Sequence, residues 1–309
     1  MPAVRSSPRK RTIKTEVTTV AEVTTPITQT FKVTKKTTTT TITTKPKAKK
    51  VAVRDPTPDL SQFPHSHKHI SQQTQYDEVM DFLSKRDPKL AALIAKTPCR
   101  PLVPGEARSE NNYFKALARS IIYQQLSGKA AASIYRKFVK LFFDNDDEEN
   151  FPTAQQVKDT PAARLREGGL SVRKGEYLVE LASRFADGSI SDAKLDGATD
   201  AEIDEMLTSV RGIGQWTVDM FKIFTLKRPN VLPVGDLAVR KGMAMHFGIS
   251  GKTTTSKSSS SSNSKVSKIY LPTPEEMFQH AEVWQPYRTV GSFYMWRVQD
   301  TKLMDEEDE

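Results

Sequence analysis

One cysteine, Cys99, is all the chain contains. It can close no intramolecular disulfide, and no four-cysteine zinc or iron–sulfur site can be built from it. Long apolar runs are missing too: none approaches the ~20 residues a membrane-spanning helix needs, and no signal-peptide apolar region follows Met1. These absences predict a soluble intracellular protein without a membrane partner. Acidic residues are scarce at one end only. Residues 1–54 hold 13 Lys/Arg against two Glu, whereas the last five residues are all acidic. What remains, 55–304, holds 33 basic and 30 acidic residues, a net +3 of the chain's +9. The basicity belongs to the tail and does not by itself make the rest of the chain a polyanion binder.

Up to about Lys68 the chain is rich in Thr, Lys and Pro, with a homopolymer run at Thr37–Thr41 and no sustained helical periodicity. Residues 1–68 read as a disordered basic tail. The clusters Arg9-Lys10-Arg11 and Lys45-Pro46-Lys47-Ala48-Lys49-Lys50 fit nuclear import, loose nucleic-acid contact or a solvated spacer; the acid-poor start leaves a mitochondrial presequence open. Residues 69–300 form the expected folded domain, with helical patterning from about Thr74 and an all-α bundle predicted. The expected helices are Tyr76–Lys85, Pro88–Ala95 with Asp87 as N-cap, Asn112–Gln125, one capped by Ser127, Arg173–Ala186, the pair around residues 207–219, Asp236–Phe247, Pro274–Glu282 and Gln285–Val298. A Ser/Thr/Lys tract at 251–268 reads as a disordered insertion, and 301–309 as an acidic tail.

Two neighbouring stretches carry chemistry. Leu207-Thr-Ser-Val-Arg-Gly-Ile-Gly-Gln-Trp-Thr-Val-Asp219 reads as helix, tight hairpin and helix. Gly212 and Gly214 permit a sharp turn and leave N–H groups uncovered at a helix N-terminus, where dipole and unpaired donors attract phosphate. Some twenty residues on, Leu232-Pro-Val-Gly-Asp236 delivers one carboxylate after a turn. Asp is also among the best N-caps, and capping and chemistry can coexist in Asp236.

This pairing resembles the helix-hairpin-helix-GPD superfamily of DNA glycosylases. Three further stretches support the likeness between about Thr74 and Val298: Ile121–Ser127, Gly169–Lys174 and Ala281–Arg288. Together they look like the 3-methyladenine DNA glycosylase II branch. The resemblance implies a monomeric, helical enzyme that excises alkylated bases such as 3-methyladenine and 7-methylguanine from double-stranded DNA, upstream of abasic-site repair enzymes. Asp236 would stabilise the cationic sugar as it develops and orient water. Trp216 stands where the superfamily's lyases keep a lysine, and an indole forms no imine, so hydrolysis without strand cleavage is implied.

Trp216 and Trp296 match the aromatic positions of the family's base pocket, where an indole face attracts a cationic base. Met220 and Leu237 stand where the bacterial branch has tyrosines. The turn Gln124–Ser127 matches the family's wedge, with Gln125 and Leu126 equally placed to insert and Ser127 beside them. Gly212, Gly214, Thr217, Arg173 and Lys174 are the implied DNA contacts. The backbone carbonyls of Thr208, Val210 and Ile213 match a cation site of the family hairpin. No cofactor is implied for catalysis, and the missing cysteines set the chain apart from iron–sulfur branches. A noncatalytic hairpin module would not need Asp236 in its Pro-Val-Gly setting; Trp216 and the missing cysteines argue against the common oxidised-base enzymes.

Overall fold

Helix starts organise this chain. In the computed structural model, which describes residues 70, 72–104, 112–144, 150–250 and 270–305, most helices open on a side chain that takes up a first-turn N–H. Helix α1 (Gln73–Arg86) meets α2 (Pro88–Ile94) at Asp87, whose carboxylate accepts from the Leu90 N–H at 3.1 Å. Helix α3 (Tyr113–Tyr123) starts at Asn112 and α4 (Gly128–Lys140) at Ser127. Capped by Thr153, α5 (Ala154–Asp159) precedes α6 (Ala162–Glu167) and then α7 (Val172–Ala186), which starts at Ser171. Ser191 caps α8 (Asp192–Gly197), and Thr199 caps α9 (Asp200–Thr208) in a capping box with Glu202. The hairpin leads to α10 (Gln215–Phe224), then α11 (Leu237–Phe247) capped by Asp236. Thr273 opens α12 (Pro274–His280), a 3-10 turn at Ala281–Trp284 follows, and α13 is Arg288–Asp305. Helix α6 starts on Pro161 without a side-chain cap, and α10 begins on Gly214, which has no side chain to cap with.

The predicted all-α class is what the structure has; no strand occurs among the described residues. Helices α5, α6 and α8 were not anticipated, because six residues are under two turns and carry too little periodicity to read. The expected C-terminal helix begins at Arg288, since the 3-10 turn and Pro286 occupy the preceding residues. The tail at 1–68, the insertion at 251–268 and the acidic end from 306 lie outside the described residues.

Two apolar cores divide the elements. Helices α3 to α10 bury Leu117, Ile121, Phe138, Leu178, Leu181, Leu207 and Val218 around one. The first two helices join α11 to α13 around the other, with Leu83, Leu90, Val239, Met243, Trp284 and Tyr294. The chain crosses between them through a buried segment tied by long-range hydrogen bonds. Arg228 donates to the carbonyls of Ala198 at 2.8 Å and Leu195 at 3.3 Å. Thr289 Oγ1 accepts the Val231 N–H at 2.9 Å and donates to the Arg228 carbonyl at 2.7 Å. Left unpaired, each such buried group would cost about 1–3 kcal/mol. The second core has a polar centre of its own. Asp87 accepts from Trp284 Nε1 at 2.8 Å and pairs with His246 Nε2 at 2.6 Å. Burial works to raise its pKa, but the hydrogen bonds from His246 and Trp284 outweigh it and hold Asp87 below the usual carboxylate range.

Helices α11 and α13 lie back to back. A Cβ on Gly242 would stand 2.2 Å from the Met295 carbonyl oxygen, so only glycine permits this approach. Arg240 ties α11 to the chain before α12, donating to the carbonyl of Pro272 at 2.9 Å. The contact at Gly242 sets the register between Asp236, heading α11, and Trp296, which follows Met295. Gly242→Ala should therefore lower stability by roughly 1–3 kcal/mol through overpacking, read from the urea midpoint. An unchanged midpoint would show that the two helices have room to part.

Candidate active site

Val210 and Ile213 are buried in the first core, which turns the intervening backbone outward. The two hairpin glycines do different work. Gly212 has φ +88°, and a Cβ there would stand 2.1 Å from the Tyr177 ring. Gly214 has an ordinary φ of −101°, and a Cβ there would meet nothing within 4 Å. The first glycine is required by the fold; the second keeps a space clear above α10. The Gly214 carbonyl accepts the N–H groups of Thr217 and Val218, at 2.9 and 3.1 Å. Those of Gln215 and Trp216 are left without an intrahelical partner, as anion donors at the positive end of the helix dipole. Thr217 corrects an expectation. Only 6% exposed, it is turned into the protein by the helical twist and away from solvent; Gln215 and Trp216 are the exposed residues of that turn. At the implied cation site, the Val210 carbonyl already accepts the Ile213 N–H at 3.2 Å, and the carbonyl's second lone pair remains. Arg211 is spent on an ion pair with Glu180, which fastens the hairpin to α7.

Asp236 is where the two cores meet. Its Oδ1 accepts the N–H groups of Ala238 and Val239, both at 2.9 Å, so the capping role is real. The same carboxylate accepts Trp296 Nε1 on Oδ1 at 3.0 Å and Trp216 Nε1 on Oδ2 at 2.8 Å. Trp216 comes from the first core's α10 and Trp296 from the second core's α13. The carboxylate is thereby fixed by two indoles and a helix start. Oδ1 takes three donors and Oδ2 one, so the remaining acceptor capacity lies on Oδ2.

Around it lies an exposed apolar patch. Trp216 is 49% exposed and Leu237 53%, while Met220 and Trp296 are half-buried. One member escaped the sequence reading. Phe224, 44% exposed, stacks on Trp296 with ring centroids 5.7 Å apart and planes at 22°. Trp216, Met220 and Phe224 recur every four residues along α10, a spacing that places them on one face and could have revealed the third. Lys222, on the same helix, is buried against Asp204 at 2.7 Å and Asp219 at 3.6 Å. Burial pulls its pKa down, but the two carboxylates outweigh this and raise it; burial pushes Asp219 up to about 6. Lys222 keeps its proton and lies away from the surface.

The turn between α3 and α4 is tied to the hairpin. Gln124 Nε2 donates to the Gly212 carbonyl at 2.8 Å. Gln125, Leu126 and Ser127 are exposed at its tip, and Gln125 takes a left-handed φ of +56°. Arg173 is exposed in the first turn of α7. Lys174 is not. Its ammonium donates to the carbonyls of Ile122 and Gln124, each at 2.7 Å, so it closes the end of α3 where a phosphate contact was expected.

Known proteins are similar to this chain in sequence and fold. Residues 118–268 match the family model of the HhH-GPD superfamily of base excision DNA repair proteins. An alkylbase DNA glycosidase-like protein of Schizosaccharomyces pombe is 29% identical, over 74% of this chain and 96% of its own. A DNA-3-methyladenine glycosylase of Saccharomyces cerevisiae is 31% identical, over 62% of this chain and 68% of its own. Among solved structures, the 3-methyladenine DNA glycosylase of S. pombe in complex with abasic DNA superposes with a TM-score of 0.53 at 26% identity, covering 71% of this chain and 95% of that one.

The glycines can be told apart by substitution. If the hairpin N–H groups contact phosphate, Gly214→Val should keep the wild-type thermal midpoint yet weaken binding to damaged and undamaged duplex alike, because phosphate contacts carry no sequence information. Gly212→Val should lower the midpoint by forcing the Tyr177 contact. Wild-type duplex affinity in folded Gly214→Val would remove the phosphate role from α10.

Proposed function

The chain belongs to the HhH-GPD superfamily of base excision DNA repair proteins, and on that premise we propose that it hydrolyses the bond between deoxyribose and an alkylated purine in DNA. The observation that carries this reading is the Asp236 carboxylate, held by both indoles beside an uncapped helix start. Losing a base builds positive charge on the sugar. A carboxylate already oriented needs no reorganisation to stabilise that charge, and the interaction grows toward the transition state. Oδ2, with its spare acceptor capacity, is the oxygen we assign to the sugar and the incoming water.

The exposed Trp216 face suits a flat cationic base, with a cation–π gain of roughly 0.5–2 kcal/mol. 3-Methyladenine and 7-methylguanine both carry that charge and leave without prior protonation, so a pocket with no strong acid suffices. The DNA backbone would rest on the Gln215 and Trp216 N–H groups, with Arg173 on a neighbouring phosphate. A cation on the hairpin carbonyls of Thr208, Val210 and Ile213 would add charge there, and no step of the reaction runs through it. The product is an abasic site, which a strand-incising repair activity must then consume.

Asp236→Asn should abolish base release while lesion-duplex affinity stays near wild type, since phosphate contacts supply most of the binding. Single-turnover rates and gel-shift titration measure both quantities. Wild-type rates in the variant would take the chemistry away from Asp236. A wild-type protein that binds duplex but frees no base from any alkylated substrate would favour a purely binding hairpin.

Reaction type has its own test. The product should break only after hot alkali, and borohydride should trap no covalent adduct, because Trp216 has no amine and Lys222 is locked between Asp204 and Asp219. An adduct on a denaturing gel would identify an amine nucleophile and overturn the monofunctional assignment.

A further inference from the structure

Most of the Gly169–Lys174 stretch has a plain structural reading, but Lys174 does more than fill a helix start. The last carbonyls of any helix need partners. Both α4 and α7 find one in the backbone N–H of the C-cap residue. Helix α3 instead closes on Lys174, whose ammonium bridges the carbonyls of Ile122 and Gln124 at 2.7 Å each. A cation here complements the negative end of the α3 dipole. Lys174 sits in the first turn of α7, at that helix's positive end, and burial pulls its pKa down. Such a place disfavours an ammonium unless something holds it, and the two carbonyls do.

The next residue, Gln125, adopts a left-handed backbone that disfavours any residue with a Cβ. The turn is held on both flanks: Gln124 reaches the Gly212 carbonyl at 2.8 Å, and Ser127 caps α4. Its exposed tip is Gln125 and Leu126. Strained backbone of this kind persists where its surroundings over-determine it, and it gathers at working sites.

We propose that Lys174, together with Gln124, is a positioning residue that holds the turn Gln124–Ser127 ready to enter duplex DNA and registers it against the hairpin. This deepens the glycosylase reading and rests on it. A side chain pushed into a base stack works only if its backbone does not yield. A preformed turn also avoids an ordering penalty at the moment of insertion. Lys174 would thus act on base flipping without touching phosphate.

The test compares Lys174→Met, Lys174→Arg and Gln124→Ala with wild type on duplexes carrying 7-methylguanine, either paired or in an unpaired bulge that needs little flipping. The salt dependence of binding to undamaged duplex should keep its slope in Lys174→Met, whereas loss of a phosphate contact would lower the slope by about one. Fluorescence of 2-aminopurine beside the lesion should rise less on binding than with wild type. Single-turnover excision should fall by about tenfold on the paired lesion and distinctly less on the unpaired one, as expected for a flipping defect. Lys174→Arg, able to donate to both carbonyls, should recover most of the loss. A reduced slope, an equal loss on both substrates, or wild-type fluorescence and rates would each overturn the proposal. If Lys174→Met fails to fold, Gln124→Ala carries the same comparison. The fluorescence and salt readings need no turnover. A wild-type enzyme that frees no base would therefore sink the glycosylase reading while leaving the positioning claim to be judged on its own.

Discussion

A single carboxylate gathers donors from every part of the molecule that matters. Asp236 receives the first N–H groups of its own helix, one indole from α10 and one from α13. Each tryptophan is carried by a different apolar core, so the carboxylate keeps its geometry only while the two cores keep theirs. The paired polar groups around Arg228, Val231 and Thr289 and the glycine contact between α11 and α13 appear in this light as alignment devices. They bring no reactive group of their own. They decide whether two indole N–H groups converge on one point.

The hairpin shows the same economy. Its apolar residues, Val210 and Ile213, are buried, and Arg211 is tied to Glu180, so backbone is what the hairpin offers to a ligand. Backbone donors cannot read sequence, which suits an enzyme that must search undamaged DNA for rare lesions. On the proposed reading, discrimination would fall to the exposed aromatic patch around Trp216 and Phe224, whose indole and phenyl faces suit a flat cationic ring.

Much of this was legible in the sequence, for identifiable reasons. The glycine pair, Asp236 and the tryptophan in place of lysine are local signals at short spacing, and the helical class follows from periodicity over long segments. Long-range polar pairing was not legible. Lys174 reads as a phosphate ligand until Ile122 and Gln124, some fifty residues back, are seen to supply its carbonyls. Thr217 lies beside Trp216 in sequence, yet one residue of helical rotation moves it from surface to interior. Phe224 was hidden for a weaker reason: its partner Trp296 comes from the far end of the chain, and only the four-residue rhythm along α10 hinted at it. The Asp87 capping role was readable, but its pairing with His246 and Trp284 was not.

The way α11 is held has a consequence for the carboxylate. Its far end is closed by the Ile249 N–H on the Ala244 carbonyl, and Arg240 grips the carbonyl of Pro272 just before α12. Ile249 and Pro272 are therefore each held by groups of α11, the helix that Asp236 heads. The placing of α11 thus rests on contacts made by α11 itself, at Gly242, Arg240 and Asp236, so the carboxylate's position is written into one short helix and its neighbours.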